Sequence, residues 1–189
     1  MFGPTSTSTP RYWRNKLAEP ERVVVLILGL DPGSRHTGFA LLEARGDRLE
    51  PVDFGRLSCP AKHPVPRRLA SLVDQLTELL DRFRPPVAVL ETPFHGLNSR
   101  SLVVLAEARG ALLATLASRE IEIAEYSPAE IKSAVAGSGR ADKTQVARMV
   151  SVLLALDTRK LSPDATDALA IAICYAHRNR FERLAGGDQ

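Results

Sequence analysis

The apolar positions of the chain fall into strand-like and helix-like runs. Residues 23–30 form one unbroken aliphatic and β-branched stretch that ends at Asp31-Pro32-Gly33. Such a run predicts a central strand covered on both faces, followed by a turn. Residues 36–43 and Arg48–Ser58 follow, divided by Arg45-Gly46-Asp47, and predict an antiparallel meander. Leu69, Leu72, Val73, Leu76, Leu79, Leu80 and Phe83 then recur at helical spacing until Pro85-Pro86 stops them. Residues 87–90 predict a second buried strand that delivers the chain to Glu91. A helix is expected over 101–118 and a strand over 121–124. Ser127-Pro128-Ala129-Glu130 is a capping box with proline at the first helical position, and Asp142-Lys143-Thr144-Gln145 repeats that logic. Ser162-Pro163 opens a last helix to about Arg183. The order β-β-β-α-β-α-β followed by helices predicts an α/β domain, a mixed sheet with helices on its faces.

The ends carry no such pattern. Residues 1–22 are rich in Ser, Thr and Pro and are expected to be a flexible N-terminal extension, with 23–183 the folded domain and 184–189 a flexible C-terminal tail. Tyr12 and Trp13 lie among Arg11, Arg14 and Lys16, a group able to touch DNA, although a loose tail is the plainer reading. The start has no basic segment leading into an apolar run, so it does not read as a secretory signal. The 23–30 run is too short to span a bilayer.

Composition changes this picture little. At 189 residues the chain suits one domain, and a net charge of +3 does not by itself mark a nucleic-acid binder. If the acids gather in one place, however, the remaining surface is more basic than that total. Cys59 and Cys174 have no metal-type spacing and read as reduced thiols of a cytoplasmic protein.

The candidate chemistry lies in four acids. Asp31 and Glu91 each follow an apolar strand, and in open α/β sheets ligands bind beyond the carboxyl ends of strands. If the two strands are parallel neighbours, both acids emerge at one edge. Asp164 and Asp167 are three apart near the start of a helix, which sets them on one face. Taken alone, Asp164 and Asp31 have plain structural explanations. A first-turn aspartate stabilises the helix dipole by ~0.3–1 kcal/mol, and Asp-Pro-Gly is turn chemistry. Glu91 is harder to explain that way. As a set they differ: two like charges about 5 Å apart repel by about 3 kcal/mol at an effective dielectric near 20. Converging acids therefore call for cations, and hard oxygen ligands select Mg²⁺ or Mn²⁺. A pair of such ions suits phosphodiester hydrolysis.

Several segments together resemble the RuvC-type Holliday junction endonucleases. They are Leu28-Gly29-Leu30-Asp31-Pro32-Gly33-Ser34-Arg35 with Thr37-Gly38, Glu91 two before Pro93-Phe94, Ala106-Glu107-Ala108-Arg109-Gly110, and Asp164-Ala165-Thr166-Asp167 with the apolar residues after it. The resemblance covers about residues 25–177. It implies a ribonuclease-H-like fold with a mixed five-stranded sheet, and a homodimer that nicks two strands of a four-way DNA junction at symmetric positions in recombination and repair. It implies that Asp31, Glu91, Asp164 and Asp167 are catalytic and bind two Mg²⁺ ions per subunit, or Mn²⁺, with products ending in 5′-phosphate and 3′-hydroxyl. By the same resemblance Phe94 meets bases near the junction centre, and Lys132 and Lys143 lie near the DNA backbone. Arg35, Arg100 and Arg140 are further candidate phosphate contacts. Branch-migration proteins are implied partners. Thr92-Pro93 and the Pro-rich 59–66 segment depart from the family pattern.

Three other readings stay open on the residues alone: an actin-like or sugar-kinase-like ATPase sharing the strand-Asp-x-Gly motif, a non-catalytic junction- or RNA-binding protein, and a related nuclease with another substrate. The ATPase would need a second lobe and phosphate loop. The non-catalytic protein would tolerate loss of an acid, and all four are present.

Overall fold

The computed structural model describes residues 24–33, 36–60, 62–92 and 99–185, except the side chains of 99–101 and 180–185. The first strand, β1 (Val24–Pro32), alternates its side chains between two cores. Ile27 faces one side, while Leu28 and Leu30 face the other. That is why the run is apolar at almost every position rather than every second one. β2 (His36–Arg45) and β3 (Arg48–Ser58) complete the expected meander, turning at Gly46 with φ 60°. β1 pairs antiparallel with β2, and β2 with β3. β4 (Val87–Glu91) lies parallel to β1 on its other side, and β5 (Glu122–Tyr126) lies parallel to β4. The result is a mixed five-stranded sheet in the order β3-β2-β1-β4-β5.

Helices cover both faces. On one, α1 (Val65–Phe83) buries Leu72, Leu76 and Leu80, four apart, and packs beside α2 (Ser99–Ala117) over Leu28, Leu30 and Leu90. Arg84 then takes the left-handed conformation, φ 48°, and its N–H closes the helix on the Leu80 carbonyl at 3.0 Å. On the other face lie α3 (Pro128–Ala136), α4 (Lys143–Leu154) and α5 (Pro163–Ala185). Both anticipated capping boxes form: Ser127 with Glu130, and Asp142 with Gln145. A short 3-10 turn, Thr158–Lys160, joins α4 to α5.

α5 lies unusually close to the sheet. A Cβ on Gly29 would stand 2.3 Å from the Ala168 carbonyl oxygen, and one on Gly38 would stand 2.0 Å from that of Asp164. No side chain fits at either position, so the two glycines set the height of α5 above β1 and β2.

The structure corrects one detail of the sequence reading. Asp31-Pro32 is not yet turn: the ladder continues through Asp31↔Gly38 and Pro32↔Thr37. Cross-strand pairing overrides the local turn preference. Proline is tolerated there because β1 pairs with β4 only as far as Leu30↔Leu90, which leaves that flank of Pro32 outside the ladder. Cys59 and Cys174 are both free thiols; Cys174 is in the core, and burial pushes its thiol up to about 12. Among the described residues no helix is long and apolar enough to cross a membrane.

Candidate active site

The register of the sheet lines up four residues. Asp31 is paired with Gly38, and Gly38 with Arg56. On the other side Leu30 is paired with Leu90, so Asp31 and Glu91 are the next residue on each of two parallel strands. Paired residues point to the same face of a sheet. Glu91, Asp31, Gly38 and Arg56 therefore form a row across β4, β1, β2 and β3, on the face that carries α5.

The helix brings the other two acids onto this row. Pro163 occupies the first helical position of α5, and the Ser162 hydroxyl accepts from the Ala165 N–H at 3.2 Å. This cap places Asp164 in the first turn and Asp167 one turn later, on one face. Gly38 admits the backbone at Asp164, and Gly29 admits it at Ala168. All four acids are half-buried.

Electrostatics show that they converge. Asp31 is raised from 3.8 to about 7, first by burial and then by the charges of Asp167, Glu91 and Asp164. Glu91 is raised by burial and then by Asp167, against a lowering pull from Lys143 and Lys132. Asp31 is thus the common neighbour of the other three. The Lys143 ammonium stands at this site, 3.2 Å from the Asp167 carboxylate, and its pKa is raised, chiefly by Asp167 and then by Asp31 and Glu91. A lysine in the first turn of a helix opposes the helix dipole. The Asp142 capping box fixes the start of α4 there, and the acids hold the ammonium.

The structure thus brings Asp31, Glu91, Asp164, Asp167 and Lys143 together, with Lys132 close enough to act on Glu91. Arg140 is exposed in the loop before α4, its N–H bonded to the Ser138 hydroxyl at 3.3 Å. Arg35 and Phe94 lie outside the described residues, as does the side chain of Arg100. The sequence reading missed Arg56, whose guanidinium is 3.9 Å from Asp164. It also missed the spacing role of Gly29 and Gly38. Only strand register could have revealed Arg56, although both glycines stand in motifs singled out for other reasons.

Among the described residues no three His, Cys, Asp or Glu side chains are already gathered round a point where an ion could sit. The donor chemistry nevertheless fits a hard divalent cation. Carboxylates that raise the pKa of Asp31 and Glu91, partly balanced by an ammonium, are the hard oxygen donors that such an ion takes.

Comparison with known proteins agrees with this arrangement. Residues 27–175 match the family model "Crossover junction endodeoxyribonuclease RuvC". The protein of that name from Bordetella parapertussis is 44% identical over 86% of this chain and 91% of its own length. Its counterpart from Alkaliphilus metalliredigens is 36% identical over 85% of this chain and 98% of its own. Among solved structures, Thermus thermophilus RuvC in complex with Holliday junction substrate superposes with a TM-score of 0.78 at 28% identity, covering 83% of this chain and 96% of that one. The yeast mitochondrial Holliday junction resolvase Ydc2 shares the fold, with a TM-score of 0.67 at 14% identity over 89% of this chain and 85% of its own. The match spans every strand that bears the row and both aspartates of α5, and the chain belongs to the RuvC family of crossover junction endodeoxyribonucleases.

Proposed function

We propose that this protein resolves four-way DNA junctions by paired, symmetric hydrolytic nicks in recombination and repair. The observation that carries the reading is the convergence of Asp31, Glu91, Asp164 and Asp167 on one face of the sheet, in a chain of this family. In this reading the four acids hold divalent cations, two Mg²⁺ per subunit, with Mn²⁺ a substitute. Such ions supply an activated water and stabilise the leaving oxygen of the cut strand, giving 5′-phosphate and 3′-hydroxyl ends.

The chain's own residues do the rest. Asp31, coupled to the other three acids, would hold the cations together with them. Burial keeps the carboxylates of Asp31 and Glu91 poorly hydrated, so a cation gains more there than at an exposed acid. Lys143 balances Asp167 in the free protein and turns to a phosphate oxygen when substrate arrives. Lys132 and Arg140 extend that basic side, and Arg35 and Arg100 add phosphate contacts. Phe94 stacks on an unpaired base at the junction centre, worth ~1–3 kcal/mol. A homodimer supplies two such sites for two equivalent strands. The protein works in the cytoplasm, alongside proteins that move the branch point. Residues 23–183 form its nuclease domain.

The test is cleavage of a synthetic four-way junction and of a linear duplex of the same arm sequences, with and without Mg²⁺. Metal-dependent, paired cutting of the junction alone is expected. Equal cutting of the duplex overturns the substrate, and cutting by Asp31→Asn overturns the site.

A further inference from the structure

The positive charges at the site divide into two groups. Lys143 acts on Asp167, Asp31 and Glu91. Arg56 stands against Asp164, at the opposite end of the row. It reaches there from the edge strand β3 over Gly38, which has no side chain to block it. Its side chain is 43% exposed and its contact with Asp164 is 3.9 Å long, a loose ion pair of little worth to the fold. The guanidinium is therefore held beside the acids yet not committed to them.

We propose that Arg56 is a phosphate-binding residue of the nuclease, gripping the DNA backbone on the β3 side of the acids, opposite Lys143. This rests on the reading of the site as a DNA nuclease. Two physical arguments support it. A fixed guanidinium fork matches two oxygens of one phosphate and gains a shorter, two-point contact in place of the long one to Asp164. A strand of DNA crossing the row would also meet a cation on each side of the acids, which fixes its direction across them. Arg56 would then be the only DNA contact from β3 assigned among the described residues.

The experiment compares wild type with Arg56→Ala, Arg56→Gln and Arg56→Lys. Binding of a fluorescent four-way junction is read by anisotropy in metal-free buffer across a salt series, and kcat and KM are read in Mg²⁺. Removing the charge is expected to weaken binding by about threefold to tenfold at 0.1–0.2 M salt. It should lower the slope of log affinity against log salt by about one for each Arg56 that meets a phosphate. KM should rise with kcat nearly unchanged, and Arg56→Lys should restore the slope but only part of the affinity. An arginine that serves only to neutralise Asp164 would leave the salt slope unmoved, and an unmoved slope in Ala and Gln variants with wild-type circular dichroism overturns the proposal. If wild type cuts the junction while the variants match it in slope and KM, Arg56 alone is misassigned. If wild type binds neither junction nor duplex, the nuclease reading falls and this inference with it.

Discussion

Asp31 shows how one side chain can be costly to the fold and yet be the one on which the proposed reaction depends. In the metal-free protein its pKa stands near 7, while in the unfolded chain it returns to about 3.8. Between those values the native state holds a proton that the unfolded state has released. Stability therefore falls as pH rises through that window, and the loss is complete above about 7. Thermal denaturation in EDTA should show a melting temperature that declines from pH 4 to pH 7.5. Asp31→Asn, which cannot ionise, should flatten that decline, melt higher than wild type at pH 8 and cut nothing. A wild-type curve as flat as the variant's would refute the assignment. Added Mg²⁺ should raise the melting temperature of wild type at pH 8 and barely move Asp31→Asn. Lys143 lies at the same site with the opposite sign: carboxylates raise its pKa, so it stays charged throughout this range.

At the scale of elements, the spacing of α5 from the sheet decides whether the acids meet. Gly38→Ala would force a methyl to within 2.0 Å of the Asp164 carbonyl oxygen, and backbone on both sides leaves no flexible group to yield. The first turn of α5 must retreat by more than 1 Å. A cost of about 1–3 kcal/mol is expected for such overpacking, and a displacement of that size costs about 10²-fold or more in kcat. Denaturant melts and single-turnover cleavage measure the two separately, and an alanine variant with wild-type kcat would show that the helix height is irrelevant. The elements themselves were largely legible in the sequence. The 23–30 run gave away its two-sided burial, both capping boxes marked helix starts, and two acids beyond apolar strands pointed to one edge. What sequence could not show is register. Whether Asp31 sits in a turn or in a ladder depends on β2, and the cross-strand partner of Gly38 depends on where the hairpin at Gly46 turns and on the shift between Leu41 and Leu42. Arg56 therefore looked like any exposed strand arginine. The family likeness, in turn, carried the substrate, because carboxylates and a cation cut many phosphodiesters.

At the scale of the whole molecule, the substrate has two equivalent strands and each chain has one row of acids. Sedimentation at micromolar concentration should find a dimer, and a plasmid with an extruded cruciform should pass mainly to linear product. Nicked circles as the main product, with a monomer in solution, would contradict the paired-cut reading. The row itself has a further consequence. Its four strand residues come from β1, β2, β3 and β4, and the two aspartates that complete it arrive on the last helix, more than a hundred residues after Asp31. During synthesis the amino-terminal part emerges and collapses first. Until α5 emerges and settles on Gly29 and Gly38, the nascent chain carries only two of its four carboxylates, and a chain truncated before α5 never acquires the others. In the proposed mechanism a cell making this nuclease is thereby protected from its unfinished copies, because the power to cut DNA arrives only with α5.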